Sequence, residues 1–264
     1  MGSAVAAGAL VLVHYGLESA RMAGELTGIW DLSLQQFVAT SNTAVAAGVR
    51  LAGVVLVAVY LHGLARPRVL VSPHGGGEPR PLAAASRHGS PRLSVLAWAG
   101  ATLVATSFAT MGHTATHSHR WVLAALLLVH LLVIEFWFGA LLPLILLTRS
   151  VPAIAARVIR RFSRIATALV PLIAVVGLAL AYGLIPALKV LREPYGLLLL
   201  AKAAGFAVLM ALASINKWML GAALGSGNAR TERNLRQSMS AEYFLIIAVL
   251  AITAVMTSFF SPEP

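Results

Sequence analysis

The sequence contains no cysteine. That excludes disulfides, thiolate metal sites, a thiol nucleophile and the Cys-x-x-Cys-His attachment of covalent haem. Charge is also scarce. Only 11% of the 264 residues are Asp, Glu, Lys or Arg, where a soluble domain carries about a quarter. Acidic residues are the scarcer sign, nine against twenty basic, which leaves a net charge of +11. No Gly-x-x-x-x-Gly-Lys phosphate loop occurs, so any transport is expected to be passive or driven by a gradient, and no enzyme activity is expected. No cleavable signal peptide stands out either. The first apolar run carries His14 and Glu18 and lacks a clear small-residue cleavage site.

What is abundant is apolar surface, 59% of the residues, with a mean hydropathy of +0.84. The apolar residues gather into runs of about 20 with few charges, the length that spans hydrocarbon. Continuous runs of this length indicate helices rather than barrel strands. The expected fold is therefore all-α, a polytopic membrane bundle of about seven transmembrane helices. The spans are placed at about 3–26, 44–64, 93–111, 120–148, 165–185, 195–219 and 239–260. A short amphipathic piece is expected near 32–38. Residues 1–264 read as one transmembrane domain, interrupted by a flexible linker at about 65–92. That linker is rich in Pro, Arg and Gly, with Gly75-Gly76-Gly77 at its centre, and has too little apolar surface to fold alone.

In a soluble chain the basic excess would suggest nucleic acid; here it fits positive-inside loops, with no nucleic-acid partner. Five Lys and Arg lie in the linker, five in a basic loop from Arg149 to Arg164, and four from Lys217 to Arg236. Only Arg21, Arg120, Lys189 and Arg192 fall on the alternate loops, while Arg50 and Lys202 lie within spans. The bias places the amino terminus in the cytoplasm and the carboxyl terminus outside, in the periplasm or its equivalent.

The chemistry concentrates between Met111 and Pro143. His113, His117 and His119 sit on a short polar turn between two apolar spans, two residues after Met111. His130 and Glu135 lie inside the second of those spans, where ionisable groups are costly and so mark candidate function. Imidazole binds copper, zinc, iron and nickel, and thioether adds a preference for Cu(I). His14 shares a helical stripe with Glu18, Arg21 and Glu25. That stripe reads either as an ion-paired surface or as a set whose histidine faces the bundle interior. The candidate metal ligands are thus His113, His130, His14, His117, His119, Met111 and Glu135. Helical geometry divides two of them, since Glu135 points about 140° from His130, whereas Trp137 shares the His130 face. Arg50 either snorkels to the surface or pairs with a carboxylate.

Three stretches together resemble the copper resistance protein D (CopD) family of bacterial inner-membrane proteins. The first is Gly112-His113-Thr114-Ala115 closing a span. The second is His130-Leu131-Leu132 followed by Phe136-Trp137-Phe138-Gly139-Ala140-Leu141. The third is Tyr195-Gly196 through Ala201-Lys202, then Asn216, then Glu242 at the opening of the last span. Arg50 also looks like that family's intramembrane arginine. The resemblance implies a multi-pass protein of the bacterial plasma membrane that handles copper, often beside a periplasmic copper-binding partner of the CopC type. Carried over by position, His113 and His130 are its metal positions. The departures are Glu135, where a small or apolar residue is usual, the additional His117 and His119, and seven spans where eight are common.

Three functions compete on this reading. The leading one is a copper-binding transporter or membrane copper chaperone, fed from outside at Met111–His119 and passing copper inward to His130, with His14 as a further ligand. The second is a membrane b-type cytochrome with bis-His haem b drawn from His14, His62, His113 and His130. The third is a structural subunit of a membrane complex.

Overall fold

The computed structural model describes residues 2–65, 91–110, 118–150, 152–185, 187–220 and 229–260. The expected linker lies almost wholly outside them, as do Met111, His113 and His117. The described residues form eight α-helices and no strand. These are α1 (Gly2–Ala23), α2 (Leu32–Ala39), α3 (Asn42–Ala65), α4 (Pro91–Ser107), α5 (Arg120–Ser150), α6 (Pro152–Leu184), α7 (Pro194–Ile215) and α8 (Ala229–Phe259). Short 3-10 turns occupy Leu26–Trp30, Phe108–Thr110 and Leu188–Arg192, and one π-helical turn, Asn216–Leu220, follows α7.

Six helices are long and apolar enough to cross a membrane: α1, α3 and α5 to α8. The remaining expected span, 93–111, is a shorter apolar helix, Ser94–Thr110. In no span is more than 22% of the most apolar window buried. Apolar side chains therefore cover the outside of these helices, the opposite of a soluble amphipathic helix, and the protein is a multi-pass membrane protein. Exposed aromatics stand near helix ends, at Trp30, Trp121, Tyr182 and Trp218, where amphipathic rings meet the headgroup layer.

Two boundaries differ from the sequence expectation. The basic stretch 149–164 is not a loop: α6 starts at Pro152 and runs unbroken through it. Proline at the first helical position is well suited to begin a helix. Ala155, Ala156 and Ile159 then face inward while Arg157, Arg160, Arg161 and Arg164 face outward. Likewise α8 begins ten residues before the expected span, burying Leu235 and Met239 between exposed polar residues.

The chain divides into two compact units, Met1–Met111 and Gly112–Pro264. In the first, α3 packs on α4 and on α1. The α3–α4 contact is backbone on backbone. A Cβ built on Gly53 would lie 2.6 Å from the Gly100 carbonyl oxygen, and one on Gly100 would lie 2.7 Å from that of Gly53. Small residues permit such approach, and close packing drives helix association in lipid. The α2 helix is capped by Asp31, whose Oδ1 accepts from the Ser33 hydroxyl at 2.6 Å and from the amides of Ser33 and Leu34 at 2.9 and 3.2 Å. These bonds, the hydroxyl first, hold the Asp31 carboxyl below the usual range.

In the second unit α5 packs against α6 and α8, and α7 against α8. Its core runs through Val133, Trp137, Leu141, Ile159, Ile173, Leu209, Leu235 and Ile246, among others. Aromatic pairs stitch the helices together, with Trp137 edge-on to Phe206 at 6.4 Å and Phe138 stacked on Tyr243 at 4.9 Å.

Candidate functional site

The buried face of α5 is built on a seven-residue step. Leu123, His130, Trp137 and Leu144 follow one another at that spacing, and all four are buried. Seven residues amount to nearly two helical turns, so these side chains stack along one stripe. The stripe puts one imidazole and one indole inside the second unit, about 10 Å apart along the axis at 1.5 Å per residue.

His130 faces α6 where that helix has no side chain in the way. A Cβ on Gly177 would come within 3.3 Å of His130 Cε1 and 3.8 Å of Nδ1. One turn earlier on the same face, the Ile173 backbone lies close to the ring. His130 Nδ1 is buried with no hydrogen-bond partner. An imidazole enclosed between two helices with a nitrogen lacking a protein partner is a candidate metal ligand. Lys202, on α7, lies within electrostatic reach of the imidazole.

The second polar group is centred on Glu242, 3% exposed on α8. Asn216 Nδ2 donates to Glu242 Oε1 from the π turn that ends α7, and the Trp137 indole lies beside the carboxyl. Three helices thus converge on one buried carboxyl. Wide turns of this kind recur at functional sites; here the turn carries the amide that meets Glu242. Asn216 Oδ1 has no partner of its own. Glu242, Asn216 and Lys202 were legible only as members of a family pattern, because no local spacing in the sequence links α7 to α8 or to α5.

The other sequence candidates are dispersed. Glu135 is half-buried on α5, turned away from His130 by the helix, and makes no hydrogen bond or ion pair among the described residues. His119 is exposed at the start of α5, where its carbonyl accepts from Val122 and Leu123. His14 belongs to the first unit and is exposed on α1. Its stripe carries an ion pair, Arg21 to Glu18 at 2.6 Å, so the ion-paired reading describes these two residues. Among the described residues Arg50 meets no carboxylate. It donates to the Ser107 hydroxyl at 3.0 Å and lies 4.2 Å above the Phe108 ring. Among the described residues, no three of His, Asp and Glu gather as a metal cage.

Fold and buried polar groups together define a polytopic α-helical membrane protein with ionisable side chains inside its second unit. Residues 156–256 match the family model CopD, copper resistance protein D, and the resemblance read from the sequence is borne out over that stretch. The match takes in most of α6, all of α7 and the π turn, and most of α8, with Ile173, Gly177, Lys202, Asn216 and Glu242. His130 and Trp137 precede it. No curated protein and no solved structure matches the chain.

Proposed function

We propose that this protein carries copper across, or delivers it within, the bacterial inner membrane, and that His130 is the inner station on the route. One observation carries the reading: His130 is buried on α5 against Gly177, and its Nδ1 has no hydrogen-bond partner. The family match supports copper as the cargo. A single imidazole is not a storage cage. It suits an ion in transit, which must bind well enough to enter and weakly enough to leave. Lys202 nearby acts in the same sense when protonated, because its charge opposes a resident cation.

Upstream, the turn from Met111 to His119 supplies thioether and imidazole ligands, a set suited to Cu(I). The basic excess on alternate loops puts that turn on the periplasmic side and the amino terminus in the cytoplasm. A periplasmic copper-binding protein of the CopC type is the expected donor or acceptor at the outer turn. His14 and Glu135 are further candidate ligands on this proposal.

The test is copper titration of purified wild-type protein, His113→Ala and His130→Ala, with elemental analysis and a visible spectrum. Copper bound by the wild type, with His130→Ala losing the inner site and His113→Ala weakening capture, supports the proposal. Full stoichiometry and affinity in both variants would refute it, and a strong Soret band would assign the histidines to haem b.

A further inference from the structure

At one end of the second unit, α5 and α8 enclose an open cleft of about 590 Å³ lined by Arg149, Arg233, Arg236, Gln237 and Ser240. The four α8 residues fall at i, i+3, i+4 and i+7, on one face of the helix. Arg149 closes the cleft from the end of α5. None of these three guanidiniums is ion-paired among the described residues, and the single carboxylate near them on α8 is Glu232, one turn before Arg236, which leaves the cluster with net positive charge. Three arginines beside an amide and a hydroxyl form a donor-rich concavity. Guanidinium forks match the oxygens of a phosphate.

The position of the cleft selects the kind of phosphate. It lies where two candidate spans end, Arg120–Arg149 and Arg230–Phe259, at the depth of lipid headgroups. The wall of each helix then continues as exposed apolar surface along the same face. On α8, Phe244 and Ile247 follow Ser240 at four and seven residues; on α5, Leu142 and Leu146 precede Arg149 at seven and three. A polar pocket opening onto two apolar stripes has the shape of an amphiphile.

We propose that this cleft binds the phosphate headgroup of an anionic phospholipid, whose acyl chains lie along Phe244, Ile247, Leu142 and Leu146. The bound lipid would tie α8 to the end of α5 and so brace the two helices that carry Glu242 and Trp137.

The test compares purified protein in nanodiscs of phosphatidylcholine with nanodiscs containing phosphatidylglycerol, with inorganic phosphate in detergent as a separate arm. Lipid binding is read by native mass spectrometry, and unfolding temperature is followed alongside. Wild-type protein should retain phosphatidylglycerol in preference to phosphatidylcholine and unfold at a higher temperature in its presence. Arg233→Gln/Arg236→Gln should bind roughly twentyfold more weakly, at about fivefold for each arginine near the membrane surface. Arg149→Gln, on the other helix, should give about a fivefold loss and serves if the double variant folds poorly. Equal phosphatidylglycerol binding by wild type and variants would overturn the proposal. So would an arginine-dependent response to inorganic phosphate without a response to the lipid, which would assign the cleft to a soluble phosphate.

Discussion

His130 occupies space that Gly177 leaves open: a Cβ on Gly177 would stand 3.3 Å from the imidazole Cε1. The ring therefore packs on α6 where a side chain is absent. Gly177→Val is expected to displace the ring and to weaken copper binding at the inner station. Overpacking of this kind costs about 1–3 kcal/mol of stability. Copper titration alongside thermal unfolding checks it. A Gly177→Val protein with wild-type copper affinity would show that ring placement does not matter to binding.

Lys202 offers a test in the opposite direction. If its charge opposes a cation at His130, Lys202→Met should tighten copper retention, on the order of tenfold for removal of one nearby like charge in a partly screened interior. Off-rates of copper to a soluble chelator measure this. Faster release from Lys202→Met would contradict a repulsive role.

The Glu242 carboxyl accepts from Asn216 and lies beside the Trp137 indole. Asn216→Leu removes one donor and leaves a buried carboxyl under-bonded, a cost of about 1–3 kcal/mol. Glu242→Gln keeps an acceptor for Asn216 and should be milder than Glu242→Leu. Denaturation in detergent, with a double-mutant cycle between positions 216 and 242, tests whether the two act as a pair. Additive effects would mean they do not.

The Gly53–Gly100 contact makes a similar prediction for the first unit. Gly53→Leu forces α3 and α4 apart where their backbones now touch, and it should lower the amount of folded protein more than Val54→Leu on the same helix. Yield after detergent extraction is the measurement.

Asp31 gives a pH dependence outside the membrane spans. Its carboxyl is held below the ordinary value of 3.8 by Ser33 and Leu34. A depressed pKa means the cap stabilises α2 fully above that ordinary value. Its contribution declines below it and is lost as the pH falls through the folded pKa. Amide exchange at Ser33 and Leu34 should accelerate in acid, and Asp31→Ala should remove that dependence.

Most of the spans were legible because hydropathy over twenty residues is a local property of the chain. The beginnings of α6 and α8 were not, since arginine reads as loop in a hydropathy window although it is a good helix former. There Ala155, Ile159 and Leu235 supply the inward face. The shared face of His130 and Trp137 follows from helical spacing alone. What they meet does not: Gly177, Asn216 and Glu242 are brought to them by packing between helices, and no period along one helix encodes that. Arg50 illustrates the same limit, since its partners Ser107 and Phe108 come from the register of α4 and the turn after it on α3.

On the proposed route His130 takes copper independently of the outer turn. The most direct measurement is X-ray absorption on Cu(I)-loaded protein carrying Met111→Leu, His113→Ala, His117→Ala and His119→Ala, with and without His130→Ala. The fourfold variant is expected to retain copper showing imidazole scattering, and adding His130→Ala to abolish it. Copper retained with unchanged scattering after loss of His130, or no copper retained in the fourfold variant, would contradict that route.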